Sequence, residues 1–182
     1  MCADITLVLG GASSGKSHLA EKICFASPLP RIYIATAQAF DDEMRDKIAQ
    51  HKIDRGNAWT TFEAPFEVDT VLRAIPSDQI VLLDCATLWL TNHLLAEHDI
   101  SDQTDALLDA LCTCASPVII VSNEVGQGIV PENKLARHFR IEQGRLNRHL
   151  AERANCVVGV MAGLPFVLKG DMPKALAQEA NS

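Results

Sequence analysis

Residues Gly10-Gly11-Ala12-Ser13-Ser14-Gly15-Lys16-Ser17 spell G-x-x-x-x-G-K-[ST] between an apolar run at 5–9 and a helical stretch from 16 to about 26. The glycines let backbone N–H groups turn inward around an anion. The lysine brings a charge to the β- and γ-phosphates, and the Ser17 hydroxyl is placed to ligate Mg2+. The order strand, loop, helix argues against a chance glycine-rich turn. The chain is therefore expected to bind a nucleoside triphosphate.

The remaining chain alternates apolar runs with amphipathic stretches. Strands are expected at 31–36, 80–83, 118–121, 156–162 and 166–168, and helices at 41–53, 86–97, 102–114 and 133–154. Asp41 and Asp42 open the first of these helices, where the N-terminal dipole favours carboxylates. Alternation of this kind implies an α/β fold, a mostly parallel sheet covered by helices. No repeat or linker divides the 182 residues, a length that suits one domain. Residues 1–169 are expected to form it, and 170–182, polar or small, a flexible tail.

Composition removes several classes. With 48% hydrophobic and 21% charged residues and a mean hydropathy of +0.09, the chain is globular rather than disordered. Its longest uncharged apolar stretch, 156–168, is broken by glycines and Pro165 and falls short of the ~18 residues of a membrane span. No basic region precedes an apolar one at the N-terminus, and a cytoplasmic protein is expected. The six cysteines form no C-x-x-C pair and read as reduced thiols. A formal charge of −7 repels a nucleic-acid backbone, so no nucleic-acid partner is expected.

The charge is unevenly spread. Residues 132–153 hold six of the sixteen basic residues but three of the twenty-three acidic ones. Such a segment is either a local anion site or a solvated helix face. At about 100° per residue, Leu135, Phe139, Leu146 and Leu150 share one side of this helix, and Arg137, Arg140, Gly144 and Arg148 the other. Ile141 lies at the edge of the polar arc. Gly144, which costs about 1 kcal/mol against alanine in a helix interior, suits a close approach by a ligand or another chain.

Two further residues invite a chemical role. Asp84 ends the apolar run Ile80-Val81-Leu82-Leu83, where phosphate-loop proteins put a carboxylate for Mg2+; a plain turn-former is the alternative. His51 shares a helix face with Met44 and Ile48, as a core histidine would. Arg45, Lys52 and Arg55 surround it in sequence, with Trp59 and Glu63 beyond. Flanking cations depress an imidazole's pKa and keep it neutral and nucleophilic, and they can receive phosphate oxygens. Both readings are open on the residues alone.

Together these pieces resemble the bifunctional adenosylcobinamide kinase/adenosylcobinamide-phosphate guanylyltransferases of cobalamin biosynthesis. The matching motifs are Gly10–Ser17, Tyr33-Ile34-Ala35-Thr36, Asp41-Asp42-Glu43-Met44, His51 with Arg55, Trp59, Thr61 and Glu63, and Asp84-Cys85 with Leu88 and Thr91-Asn92. The specific run from Ser122-Asn123-Glu124-Val125-Gly126 to Pro131 follows, then Leu135-Ala136-Arg137, Phe139-Arg140, Gly144 and Asn147. The likeness covers about residues 4–168. The chain departs from the pattern at Gly56, Ile141 and Arg148, where proline, aspartate and glutamine are usual.

The resemblance implies a single-domain, RecA-like P-loop NTPase fold with helices on both faces of the sheet, assembled as a homotrimer. It implies phosphorylation of adenosylcobinamide with ATP or GTP. It also implies GMP transfer from GTP to adenosylcobinamide phosphate through a GMP-histidine, here His51, with Lys16 as the other catalytic residue. By the same likeness Ala35, Thr36, Ala37, Lys52, Ile53, Asp54, Arg55, Glu63 and Asp84 line the nucleotide site beside the phosphate loop, and Ser17 and Asp84 hold Mg2+, directly or through water. Glu124, at a strand end, is a candidate base for the kinase step or a turn cap.

Rival readings differ in what they need. A kinase of another small metabolite would use the loop and Asp84 but not His51. A GTPase switch needs N-K-x-D, and Asn133-Lys134-Leu135-Ala136 lacks the aspartate. A DNA-stimulated ATPase conflicts with the charge and with only nine aromatic residues.

Overall fold

The computed structural model describes residues 4–38 and 56–177. Runs rich in Val, Ile and Leu form a seven-stranded sheet, as branched side chains favour. The strands are β1 (Ile5–Gly10), β2 (Arg31–Ala35), β3 (Thr60–Glu63), β4 (Ile80–Asp84), β5 (Val118–Asn123), β6 (Cys156–Met161) and β7 (Leu164–Lys169). Their order is β3-β2-β4-β5-β1-β6-β7; the first six run parallel, and β7 turns back antiparallel on β6.

The described helices are α1 (Lys16–Phe25), α2 (Val68–Ala74), α3 (Ala86–Leu95), α4 (Ile100–Thr113), α5 (Lys134–Arg153) and the short α6 (Lys174–Ala177). Alternation along the strands divides the core in two. Ile5, Leu7, Ile34, Val81, Leu83 and Ile120 pack against α2, α3, α4 and α5 through residues such as Leu72, Leu90, Leu111 and Leu150. Val8, Tyr33, Leu82, Val121 and Val158 face the other way, against Leu19, Ala20 and Cys24 of α1, Trp59 and Leu176. Each fully buried Leu or Ile contributes about 1.5–3 kcal/mol relative to exposure. Among the described residues no helix is long and apolar enough to cross a membrane.

Several local expectations change. β3 and α2 lie in a stretch to which the sequence assigned no element; all four positions of β3 are exposed, so no apolar alternation betrays it. α4 starts at Ile100 because the Asp99 carboxylate caps it, accepting from the N–H groups of Ser101 (2.9 Å) and Asp102 (3.1 Å). Leu135, expected on the buried side of α5, is exposed, and Gln143 and Asn147 are buried instead. Residues 170–177, expected to belong to a flexible tail, pack onto the domain: Leu176 is buried and Met172 lies against the same cluster. Gly56 has φ +54°, which the proline usual there in the resembled family cannot adopt.

Candidate functional site

The parallel strands all point their carboxyl ends to one edge of the sheet, where α/β folds bind ligands. The phosphate loop leaves β1 at this edge. A Cβ on Gly10 would lie 2.3 Å from Ser14 Oγ and 2.7 Å from the Val160 carbonyl oxygen, so the loop's tight return requires glycine there. Gly15 has φ +94°, the left-handed region that glycine tolerates. The Ser14 N–H donates to the Gly11 carbonyl (3.3 Å), and the Ser14 carbonyl accepts from the N–H of Gly163 in the β6–β7 turn (2.9 Å). The Lys16 ammonium folds back to donate to the Gly11 carbonyl at 3.1 Å.

Strand register brings three expected site residues into one row. Ala35 pairs with Glu63 of β3 on one side and with Asp84 of β4 on the other. The buried Tyr33 hydroxyl donates to Asp84 Oδ2 at 2.5 Å. Cys85, next in sequence, is nearly enclosed: burial pushes its thiol up to about 11, the Asp84 charge adds to this, and the Lys16 charge opposes it. Lys16 and Asp84 thus both act on one small volume.

Behind this row is a polar brace. Thr36 is fully buried, and its hydroxyl donates to the Cys85 carbonyl (2.8 Å) and accepts from the Cys85 N–H (2.9 Å). Its N–H donates to the Asp84 carbonyl, and its own carbonyl accepts from Asn92 Nδ2, which also donates to the Pro65 carbonyl. These bonds fix Thr36, expected in the nucleotide site, between the ends of β2 and β4.

A second brace ties α3 and α5 to the end of β5. Ser122 Oγ donates to Asn147 Oδ1 (2.7 Å) and accepts from Gln143 Nε2 (3.0 Å). The Asn123 N–H donates to Thr87 Oγ1, and its carbonyl accepts from Asn147 Nδ2. Buried polar groups paired in this way hold one geometry, since each broken bond strands its partner, although Gln143 Oε1 and Asn123 Oδ1 are themselves buried without a partner.

Glu124 follows directly. Its N–H donates to the Gly10 carbonyl (3.0 Å), and its carboxylate accepts from the Gly126 N–H (2.5 Å). With Gln127 and residues Gly10 to Ser14 it lines one wall of a cleft of about 620 Å3, whose other wall is Gly159, Met161, Phe166 and Leu168. The basic arc of α5 serves this loop: Arg140 donates to the Gly126 carbonyl and Arg137 to those of Pro131 and Glu132. Two of its arginines are therefore engaged in holding the 124–132 loop. A Cβ on Gly144 would meet nothing within 4 Å. Asn133, in the near-match to the guanine-reading motif, caps α5 by accepting from the Ala136 N–H at 3.0 Å.

Gly10–Ser17, Ala35, Thr36, Glu63, Asp84 and Glu124 thus converge at one edge of the sheet. His51, Lys52, Ile53, Asp54 and Arg55 lie outside the described residues, as does the helix expected at 41–53. Sequence reasoning gave no role to the Tyr33 hydroxyl, the Asn92 brace or the apolar wall of β6 and β7. Tyr33 and Asn92 were visible only as members of a motif, and the wall had no signal beyond strand alternation.

Comparison with known proteins identifies the family and the fold. A protein of Pseudomonas aeruginosa named bifunctional adenosylcobalamin biosynthesis protein CobP is 44% identical over 91% of this chain and 97% of its own length. A protein of Salmonella typhimurium named bifunctional adenosylcobalamin biosynthesis protein CobU is 41% identical over 90% of this chain and 98% of its own. Among solved structures, a KaiC-like protein of Pyrococcus horikoshii superposes with a TM-score of 0.52 at 16% identity, covering 95% of this chain and 82% of that one. An ATPase of a bacterial type III secretion system gives 0.55 at 12% identity, covering 98% and 62%. These two show the RecA-like P-loop fold. The family model described as cobinamide kinase / cobinamide phosphate guanyltransferase matches residues 6–168, and the chain belongs to that family.

Proposed function

We propose that this enzyme phosphorylates the alcohol on the aminopropanol arm of adenosylcobinamide with ATP or GTP, then carries GMP from GTP on His51 to adenosylcobinamide phosphate. The observation that carries the proposal is the convergence of the phosphate loop, Asp84 and Glu124 at one sheet edge in a chain of this family.

In the kinase step the substrate hydroxyl oxygen attacks the γ-phosphorus, the bond to the bridging oxygen breaks, and the nucleoside diphosphate leaves. Glu124, on the cleft beside Gly10 and Gly11, takes the hydroxyl proton. Lys16 moves from the Gly11 carbonyl to the phosphates. In the second activity a neutral His51 nitrogen attacks the α-phosphorus of GTP and pyrophosphate leaves. A phosphate oxygen of adenosylcobinamide phosphate then displaces His51 and yields adenosylcobinamide-GDP. Splitting one transfer into two is what a nucleophilic catalyst offers. Lys52 and Arg55 are assigned to the GTP phosphates, and Ile53, Asp54, Glu63, Ala35 and Ala37 to the walls of the site.

Mg2+ fits the donors present. Ser17 offers a hydroxyl and Asp84 the carboxylate oxygen that Tyr33 leaves free, and a hard cation prefers oxygen ligands completed by water. Among the described residues no cluster of three His, Cys, Asp or Glu suits another metal. When bound, Mg2+ neutralises charge on the phosphates.

The same reading makes the enzyme a cytoplasmic homotrimer without a nucleic-acid partner. Cys24, Cys85, Cys114 and Cys156 are free thiols, the formal charge is −7, and Leu95, Ile129, Val130 and Leu135 are exposed apolar side chains that subunit contacts would cover.

The test is incubation with GTP labelled at the α-phosphate. Acid-labile label on the native chain and none on His51→Ala is expected. An unlabelled native chain that still binds GTP would leave only a kinase.

A further inference from the structure

We propose that the apolar face of the β6–β7 hairpin, carried by Met161, Phe166 and Leu168, is the shelf on which the corrin ring of the substrate rests while its alcohol arm reaches the phosphate loop. The inference rests on the cobinamide reading above and gives that substrate a place.

Strand alternation puts Leu164, Phe166 and Leu168 on one side of β7, and antiparallel register sets Phe166 opposite Gly159 and Leu164 opposite Met161 of β6. Met161 is 64% exposed, Phe166 44%, Leu168 59% and Leu164 71%. Scattered exposed apolar residues mean little, but a contiguous patch marks a binding surface. Here the absence of a side chain at Gly159 shapes the patch. A Cβ there would lie 2.3 to 2.9 Å from three atoms of the Phe166 ring, so the ring rests directly on the β6 backbone.

The shelf is continuous with the chemistry. The cleft of about 620 Å3 has Met161, Phe166 and Leu168 on one wall and residues Gly10 to Ser14 with Glu124 and Gln127 on the other. The Gly163 N–H to Ser14 carbonyl bond fastens the hairpin turn to the phosphate loop. The cleft meets the first half of that loop, whereas Lys16, Ser17 and α1 do not line it. An acceptor alcohol therefore enters from the cleft, and the nucleotide lies toward the lysine.

A cobinamide has the matching chemistry: a flat apolar macrocycle rimmed with amides, and one arm ending in an alcohol. A cleft of this size is that of a small-ligand pocket. It takes the arm and one edge of the ring and leaves the rest of the ring over the exposed shelf. The Gln127 amide, on the opposite wall, offers a donor and an acceptor to the rim.

The test compares the native enzyme with the double variant Met161→Gln/Leu168→Gln, both at exposed positions. The KM for adenosylcobinamide is expected to rise about ten-fold or more, as the loss of two apolar contacts implies. The KM for ATP, and corrinoid-free labelling from α-labelled GTP, should stay within about two-fold of native, a spread small against one decade. An unchanged KM for adenosylcobinamide overturns the shelf. So does a raised KM for ATP alone, which would make it a nucleobase site, or a changed sedimentation coefficient with native KM values, which would make it a subunit contact. A native enzyme that neither binds nor phosphorylates adenosylcobinamide overturns the cobinamide reading, and the shelf with it.

Discussion

The Tyr33 hydroxyl donates to Asp84 Oδ2 at 2.5 Å, linking the carboxyl ends of β2 and β4 within the row where Ala35 pairs with Asp84. Tyr33 is buried, with its ring edge-on to Trp59 at 5.5 Å between centroids. The phenol is thus anchored by packing while its hydroxyl steadies one carboxylate oxygen. Tyr33→Phe keeps the ring and deletes that bond. A hydrogen bond to a charged group is worth about 1.5–3 kcal/mol. The variant is expected to fold, to need about ten-fold more Mg2+ for half-maximal kinase activity, and to keep its affinity for Mg2+-free nucleotide. A native Mg2+ titration curve would detach Tyr33 from the metal site.

Two adjacent glycines should behave differently. A Cβ on Gly10 would strike Ser14 Oγ at 2.3 Å and the Val160 carbonyl at 2.7 Å, whereas one on Gly11 meets nothing within 4 Å. Gly10→Ala is expected to displace the loop and weaken ATP binding at least about ten-fold in calorimetry, a cost of about 1.4 kcal/mol. In the nucleotide-free protein, Gly11→Ala should leave the melting temperature unchanged. Equal destabilisation by both would contradict the loop geometry.

Gly159 is predicted to be intolerant of even a methyl group. Gly159→Ala must lift the Phe166 ring, and overpacking of this kind costs about 1–3 kcal/mol. Adding Phe166→Ala, which vacates the contact, should recover part of the loss. A double-mutant cycle by chemical denaturation checks this, and additive single effects would contradict it.

Stability should fall on mild acidification through His93. This residue is buried between Trp89 and Phe66, with Nδ1 2.9 Å from Nδ1 of His98. Burial, aided by His98, holds its pKa below the ordinary 6.5, while the Phe66 backbone, Glu67 and Asp69 oppose the shift. The unfolded chain therefore takes up a proton below pH 6.5 that the folded chain resists, and folding stability declines from about pH 6.5 downward. The melting temperature should drop between pH 7.5 and 5.5, with a shallower slope in His93→Asn. An equal slope in that variant would assign the acid sensitivity elsewhere.

Much of this was legible in the chain because it is local. The Gly10–Ser17 octapeptide, the apolar runs of β1, β2, β4 and β5, and the carboxylate ending β4 each depend on neighbours within a few residues, where steric and hydrogen-bond preferences act directly. Motif recognition likewise reached Ala35, Glu63 and Asp84, though not their alignment.

What only the tertiary structure decided depends on partners far apart in sequence. β3 exists because Thr60 to Glu63 pair with β2, and its exposed side chains carry no pattern of their own. Tyr33 meets Asp84 across 51 residues of chain, and Thr36 meets Cys85 across 49. Leu135 is exposed, and Gln143, to which the sequence gave no place, is buried because Ser122 and Asn147 supply partners for its amide, which helical periodicity alone does not contain. The apolar wall beside the phosphate loop became visible only once Gly159 lay under Phe166 and the β6–β7 turn was hydrogen-bonded to Ser14. Short-range preference is written in adjacent residues, whereas the order of a parallel sheet is chosen by burial and pairing over the whole chain.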